Sequence, residues 1–145
     1  MERILCRVWK IDGKGMAKRD FIHVEDTCEA ITKIVNTKKN LNGNVLNVGS
    51  GKCISINSIC NKITKIKKYN KNKVQYITDR PGQVDKHICD ISKFYKIFKW
   101  KPKIKFEDGL NKTFEWYEKN SSWWKNKISM QQIRIVMPDG KVLIH

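Results

Sequence analysis

The sequence predicts an α/β fold in which short strands alternate with amphipathic helices. Short apolar runs bounded by Gly, Asn and Asp indicate the strands. Isoleucine, leucine and aromatic residues that recur at three- and four-residue spacing indicate the helices. The length agrees with this class, because 145 residues supply enough chain for one domain with a modest core.

Four strands are predicted before the C-terminal segment. Residues 8–11 and 21–24 flank Gly13-Lys14-Gly15, where two glycines favour a turn. Residues 45–48 follow an asparagine-rich loop, and residues 74–78 follow a lysine-rich loop. Each run is short and rich in β-branched or aromatic residues, which is typical of strands.

Two helices are predicted in the first half of the chain. Asp26 is expected to cap a helix that extends to residue 38, because Glu29 follows it at the spacing of a capping box. Ser55 is expected to cap the second helix, along which isoleucines and Cys60 recur at helical spacing.

Two further helices are predicted around a break. Asp90 is expected to cap the first, and Trp100-Lys101-Pro102 is expected to end it. The second is predicted over residues 107–120. Between them, lysines alternate with apolar residues over residues 99–105, which predicts an extended segment with one apolar and one solvated side.

The C-terminal segment does not continue this alternation of strands and helices. Two alternating runs surround Pro138-Asp139-Gly140 and predict a β-hairpin. We therefore predict two regions, residues 1–125 and residues 126–145. The hairpin could be a subunit-contact or lid element, or a capping hairpin on a loosely packed tail.

Composition excludes several classes of protein. The chain is 40% hydrophobic and 30% charged, which is typical of a globular protein, and its apolar runs are too short to span a membrane. Five cysteines without a CxxC motif predict reduced thiols in a cytoplasmic protein and no metal site. A net charge of +16 raises the possibility of nucleic-acid binding, but no recognition motif for a specific nucleic acid is present.

Arginine is rare in this chain, which has 25 lysines and only five arginines. Arg19 and Arg80 belong to the runs Arg19-Asp20-Phe21 and Arg80-Pro81-Gly82. Because guanidinium binds phosphate in a bidentate geometry that ammonium lacks, both are candidates for an anion site. The alternative is that each pairs with a nearby aspartate.

Several motifs together resemble the nucleotide-sugar epimerases and dehydratases of the extended short-chain dehydrogenase/reductase superfamily. They occur in the order and at the spacings of that family, and the tryptophan pair after residue 120 resembles its dTDP-glucose 4,6-dehydratase branch. The motifs are RDFIHVEDTCEAI from residue 19, Asn47-Val48-Gly49-Ser50-Gly51, RPGQVD from residue 80, Trp100-Lys101-Pro102 and Phe106-Glu107-Asp108-Gly109-Leu110.

This resemblance implies a partial Rossmann-like sheet, a small α/β substrate-binding domain and a nucleoside-diphosphate sugar as ligand. By the same resemblance, Arg19 and Arg80 grip the diphosphate, and Gln83 and Asp85 lie where the ribose is bound. The glutamine replaces an acidic residue that often follows RPG in the family. The family uses NAD, but no cofactor is expected to bind this chain alone.

The residues that carry the family's chemistry are not found in this chain. There is no GxxGxxG, and Tyr69 and Lys73 match the catalytic tyrosine–lysine spacing by coincidence. We therefore expect no catalytic residue here, and a truncated or split enzyme that self-associates or needs a complementary N-terminal NAD-binding polypeptide. The competing hypothesis is a non-catalytic interaction module with the same fold.

Overall fold

The computed structural model describes residues 9–66, 74–79, 82–125, 134–136 and 142–144. The chain divides into two compact units, Met1–Asn111 and Lys112–His145. The boundary near residue 125 that the sequence suggested stays a prediction.

Two small sheets form in the first unit, and their strands confirm the predicted α/β class. Strand β1 pairs in parallel with β4, so that Trp9 lies beside Val74. Strand β2 pairs antiparallel with β3. The four strands are β1 Trp9–Asp12, β2 Lys18–Asp20, β3 Cys53–Ser55 and β4 Val74–Ile77.

The strands at 8–11 and 74–78 are confirmed to within one residue at each end, but the strand at 21–24 was wrong. The observed strand is β2, three residues earlier, because the pairing with β3 ends at Asp20. Beyond it the Phe21 ring packs 5.8 Å from that of Phe106, and Val24 already belongs to a helix.

Five helices lie in the described part of the chain. The first begins earlier than predicted, because His23 caps it by accepting a hydrogen bond from the Glu25 backbone N–H. Asp26 is therefore not the cap, and the helix ends at Val35 rather than at residue 38. The helices are α1 Val24–Val35, α2 Ile56–Ile66, α3 Ser92–Phe98, α4 Phe106–Lys119 and α5 Ser121–Lys125.

The predicted Ser55 cap is found, but the predicted Asp90 cap was wrong, because the N-cap of α3 is Ile91, which makes no side-chain cap hydrogen bond. The Ser55 hydroxyl accepts from the Ser58 backbone N–H at 3.2 Å at the start of α2. Asp90 accepts from the Ser92 backbone N–H at 2.9 Å, which satisfies one of the donors that a helix start leaves without a partner. Hydrogen bonding to Ser92 lowers the pKa of the Asp90 carboxyl.

The core of the first unit joins α1, α3 and the segments that follow them. Ala30, Phe94 and Trp100 are buried, and the ring of Phe94 meets that of Trp100 edge-on at 5.3 Å. Partly buried side chains surround these three: Ile22, Ile34, Leu46, Val48 and Phe98.

The segment at 45–48 contributes Leu46 and Val48 to this core, but it is not a strand. The predicted strand was therefore wrong for this structure. A strand exists by pairing with a neighbour, and within the described residues this segment has no paired neighbour. Side-chain burial still alternates along it, with Val45 and Asn47 exposed.

Residues 99–105 confirm the predicted alternation. Lys99, Lys101, Lys103 and Lys105 are exposed, whereas the residues between them are buried or half-buried. Helix α3 ends at Phe98, and Lys99 has a positive φ of 51°, so the predicted break is also present.

The second unit contains the predicted hairpin. Strand β5 (Arg134–Val136) pairs antiparallel with β6 (Val142–Ile144), while the Pro138-Asp139-Gly140 turn lies outside the described residues. Along the helices of this unit, Trp116 meets Trp123 edge-on at 5.3 Å. In the described part of the chain, no helix is long and apolar enough to cross a membrane.

Candidate functional site

Strand β2 lies at the centre of the candidate site. One edge pairs with β3, and the other meets the segment that follows the Arg80-Pro81-Gly82 motif. The Lys18 backbone N–H donates to the Asp85 carbonyl at 2.7 Å, and the His87 N–H donates to the Lys18 carbonyl at 3.0 Å. These bonds bring together two motifs that lie some sixty residues apart in the sequence.

Arg19 links β2 directly to that segment. Its Nη1 atom donates to the carbonyl of Lys18 and to that of Val84, both at 2.8 Å. Within the described part of the chain, neither Nε nor Nη2 is hydrogen-bonded and Arg19 forms no ion pair. The local pairing with Asp20 or Asp26 that was considered as an alternative is therefore not what the structure contains.

Asp20 is occupied by other partners. One carboxylate oxygen accepts from the Ser50 backbone N–H at 2.8 Å and from the Ser50 hydroxyl. The other accepts from the backbone N–H groups of Gly51 at 2.9 Å and Cys89 at 3.1 Å. This carboxylate therefore clamps three separate segments together beside Arg19.

The clamp depends on a close approach at Gly49. A Cβ atom placed there would lie 2.4 Å from the Cys89 Cβ and 3.0 Å from the Asp20 Oδ2. Since real Cβ contacts are not that short, any larger residue would push the loop away from Asp20. The glycine in the Asn-Val-Gly-Ser-Gly motif thus has a packing role.

Cys89 lies at this junction, next to Asp20. Burial raises its pKa, and the negative charges of Asp20 and Asp90 raise it further. Burial also raises the pKa of Cys60. In the described part of the chain Cys28, Cys53, Cys60 and Cys89 form no disulfide, and Cys6 lies outside the described residues.

Of the other three predicted site residues, the structure describes two, Gln83 and Asp85. Gln83 is half-buried and Asp85 is exposed, and both lie in the segment that Arg19 and Lys18 hold. Arg80 lies outside the described residues. The structure therefore brings Arg19 to the segment that contains Gln83 and Asp85, through the Val84 carbonyl, while the roles of all four in binding stay predictions.

Asp26 is a second clamp, which the sequence reading missed. Its side chain is 2% exposed. Its two oxygens accept from the backbone N–H groups of Lys103 and Ile104, each at 3.0 Å. Glu29, three residues on, suggested that Asp26 was a helix cap, and no local pattern signals a partner so distant in sequence.

The described residues do not fit a dinucleotide-binding cradle. Such a cradle needs a strand, a glycine-rich turn and a helix whose first N–H groups bind the pyrophosphate. Here Gly13-Lys14-Gly15 joins two strands, β1 and β2. The N–H groups of Ser50 and Gly51 are already bound to Asp20. No group of three His, Cys, Asp or Glu residues that could hold a metal is found in the described ranges.

Comparison with known sequences gives a consistent picture. The family model described as GDP-mannose 4,6 dehydratase matches residues 7–113. The dTDP-glucose 4,6-dehydratase 1 of Escherichia coli K12 is 32% identical over 123 residues, which cover 80% of this chain and 34% of that protein. The human dTDP-D-glucose 4,6-dehydratase is 30% identical over the same share of each chain. This chain thus spans about a third (34%) of the length of these curated relatives.

Two solved structures are similar in fold and sequence. The dTDP-glucose 4,6-dehydratase of Bacillus anthracis in complex with NAD has a TM-score of 0.75 at 30% identity, covering 86% of this chain and 39% of its own. The UDP-glucose 4-epimerase of Thermotoga maritima with UDP-glucose has a TM-score of 0.72 at 31% identity, covering 83% and 38%.

Proposed function

This chain belongs to the extended short-chain dehydrogenase/reductase family of NAD-dependent nucleotide-sugar epimerases and dehydratases, and we propose that it supplies the part that binds the diphosphate of a nucleotide sugar. The chain covers about a third (34%) of the length of its curated relatives. Its role is therefore one contribution to an activity that needs further polypeptide.

The observation that carries this proposal is the placement of Arg19. Its guanidinium lies between β2 and the segment that contains Gln83 and Asp85. One N–H of Nη1 donates to the Lys18 carbonyl in β2 and the other to the Val84 carbonyl in that segment, which leaves three N–H bonds on Nε and Nη2 for phosphate oxygens. Arg80, by family resemblance, binds the same diphosphate from the opposite side.

Two arginines on one diphosphate would neutralise its charge and fix its position. Anchoring a remote part of the substrate orients the reacting sugar, so binding free energy is used for positioning. Gln83 and Asp85 would contact the ribose by the same resemblance. The glutamine, where family members often have an acidic residue, leaves the nucleotide base open.

We further propose that the chain is a dTDP-glucose 4,6-dehydratase-like piece that does not turn over substrate alone. NAD, when bound in the family, accepts the hydride removed from the sugar. The residues that this chain contributes bind and orient; none of them is proposed to move the proton. Similarity to both dehydratases and epimerases keeps an epimerase-like reaction as an alternative.

The competing function is a non-catalytic interaction module that keeps the fold without a nucleotide site. Direct binding separates the two hypotheses. Calorimetric titration of the chain with UDP and dTDP should give saturable binding if the site is present. Adding NAD and dTDP-glucose or UDP-glucose should give no product above a mock preparation.

Arginine variants then test whether the binding is local. Arg19→Lys and Arg80→Lys keep the positive charge but remove the guanidinium that binds phosphate in a bidentate geometry. Each should therefore weaken nucleotide binding by about 1–3 kcal/mol. Lys65→Gln is the control, because it removes a positive charge from an exposed residue on α2. An equal or larger loss in Lys65→Gln would mean that diffuse charge binds the nucleotide, which would overturn the proposed site.

A further inference from the structure

Three asparagines lie in and beside a turn that follows helix α1. Asn40, Asn42 and Asn44 are all exposed, and the Asn44 backbone N–H donates to the Leu41 carbonyl at 2.9 Å, which closes the turn. Asn42 is followed by a glycine, whereas the other two precede Leu41 and Val45. The three asparagines therefore share their exposure but differ in the residue that comes next.

Gly43 makes the backbone of this turn accessible. Its φ is 67°, in the left-handed region that glycine adopts without strain, and a Cβ atom placed on it would meet no atom of the described chain within 4 Å. The Asn42 backbone N–H donates to the Asn40 side chain at 3.0 Å. Among the residues that the structure describes, neither the Asn42 side-chain amide nor the Gly43 N–H forms a hydrogen bond. These two groups can therefore approach each other.

We propose that Asn42 is a modification site, at which the asparagine is converted to isoaspartate without an enzyme. The Gly43 backbone nitrogen attacks the side-chain carbonyl carbon of Asn42. A carbon–nitrogen bond forms, and the side-chain nitrogen leaves as ammonia with the proton that the Gly43 nitrogen gives up. Water then opens the cyclic imide: cleavage at the main-chain carbonyl gives isoaspartate, and cleavage at the side-chain carbonyl gives aspartate. Water is the co-reactant, nothing is oxidised or reduced, and the net charge of +16 falls by one.

The fold protects the other places where the same imide could form. Gly13 and Gly109 each follow an aspartate, which reaches the imide by losing water instead of ammonia. The Gly13 N–H donates to the Ile77 carbonyl and the Gly109 N–H to the Lys105 carbonyl, both at 2.9 Å. A backbone nitrogen held in this way is not available to the side chain before it, because the attack breaks its hydrogen bond. The structure therefore favours reaction at Asn42.

Isoaspartate should change the turn because it alters the main chain. The backbone then passes through the side-chain carbons of residue 42 and gains one carbon atom. Leu46 and Val48, which follow the turn, pack against the core, so they resist movement, and the exposed turn must absorb the extra length. The hydrogen bond that closes the turn should therefore be lost, and the Asn44 amide should exchange its hydrogen faster in the modified chain.

Incubation of the folded chain in mildly alkaline buffer, followed by peptide mass spectrometry, tests this site. Isoaspartate should accumulate at Asn42 and not at Asn40 or Asn44, which serve as controls of equal exposure in the same segment. Methyl transfer from S-adenosylmethionine by an isoaspartate methyltransferase reports the product independently. Asn42→Gln keeps a side-chain amide but would need a larger ring, so it should abolish the methyl labelling of this segment.

Asp108→Asn separates the effect of the fold from that of the sequence. It places an asparagine before Gly109, whose N–H is hydrogen-bonded in α4. In the folded variant, isoaspartate should form at position 42 and not at position 108, whereas in urea both positions should react at similar rates. Equal rates at the two positions of the folded variant, or a folded wild-type chain without isoaspartate at Asn42, would overturn the proposal. The proposal does not depend on nucleotide binding.

Discussion

Asp20 and Asp26 lie six positions apart in one sequence motif, yet they hold together different regions of the first unit. Both carboxylates accept backbone N–H groups on both oxygens. Asp20 is half-buried and joins β2 to the 50–51 loop and to Cys89. Asp26 is 2% exposed and joins α1 to the segment before α4.

The difference separates the structural role of this motif from its proposed binding role. A carboxylate that satisfies several backbone donors is not available to a ligand. Asp26 supports the core, because the segment that it holds follows Trp100. Asp20 supports the site, because it fixes the loop beside Arg19. Arg19, next to Asp20, retains side-chain donors on Nε and Nη2 for an anion.

The largest expected effect is that of removing the buried clamp. Asp26→Ala removes a buried carboxylate and leaves two part-buried backbone N–H groups without partners, so the free energy of unfolding should fall by about 3 kcal/mol. Urea denaturation followed by circular dichroism measures it. Asp108→Ala, at an exposed position in the first turn of α4, should cost about 0.5 kcal/mol or less. Equal losses in the two variants would contradict the clamp.

Removing the Asp20 carboxylate should destabilise the protein less than removing that of Asp26, but it should affect the candidate site more. Asp20→Ala should lower the free energy of unfolding by about 2 kcal/mol, because the Asp20 carboxylate is only half-buried. Amide hydrogen exchange at Ser50, Gly51 and Cys89 should accelerate, whereas the amides of Lys103 and Ile104 should stay protected.

Nucleotide affinity gives this comparison a second readout, which rests on the proposed function. Asp20→Ala should weaken UDP binding about tenfold, corresponding to about 1.4 kcal/mol, because the loop beside Arg19 loosens. Asp26→Ala should leave the affinity of the folded protein close to that of wild type. The reverse ranking would show that Asp20 does not position the site.

Local patterns predicted most of the helices. The Ser55 cap, the helix from Ile56 and the alternation over residues 99–105 follow from residue spacing, which neighbouring residues determine. The start of α1 did not follow, because the spacing to Glu29 favoured Asp26 and nothing in the sequence pointed to His23, three positions earlier, as the cap. In the folded chain His23 caps α1, and Asp26 instead accepts hydrogen bonds from residues 77 and 78 positions later.

The site was predictable only where residue type was unusual. Arg19 was identified because arginine is rare in a lysine-rich chain. Asp20 was missed because a carboxylate that accepts backbone N–H groups has no sequence signature. The strand at 45–48 failed for a related reason: strand formation requires a paired neighbour, which its own residues do not specify.

The smallest expected effect concerns an ion pair next to the Asp26 clamp. The Lys103 ammonium donates to the two oxygens of Glu29 at 2.8 and 2.9 Å, and this contact lowers the pKa of Glu29 below its usual 4.5. A lowered pKa in the folded state stabilises the protein above pH 4.5, and the stabilisation is lost as the pH falls through the lower value. Because the Lys103 side chain is 69% exposed, the effect on stability should be small.

Lys103→Gln should therefore raise the pKa of Glu29 towards 4.5, as measured by the pH dependence of its side-chain NMR signal. The backbone N–H of residue 103 remains in this variant, so the Asp26 clamp should persist and only the ion pair should be lost. Lys33→Gln is the matched control, because Lys33 lowers the pKa of Glu29 less than Lys103 does. Equal shifts from the two variants would mean that general positive charge, rather than the direct contact, sets this pKa.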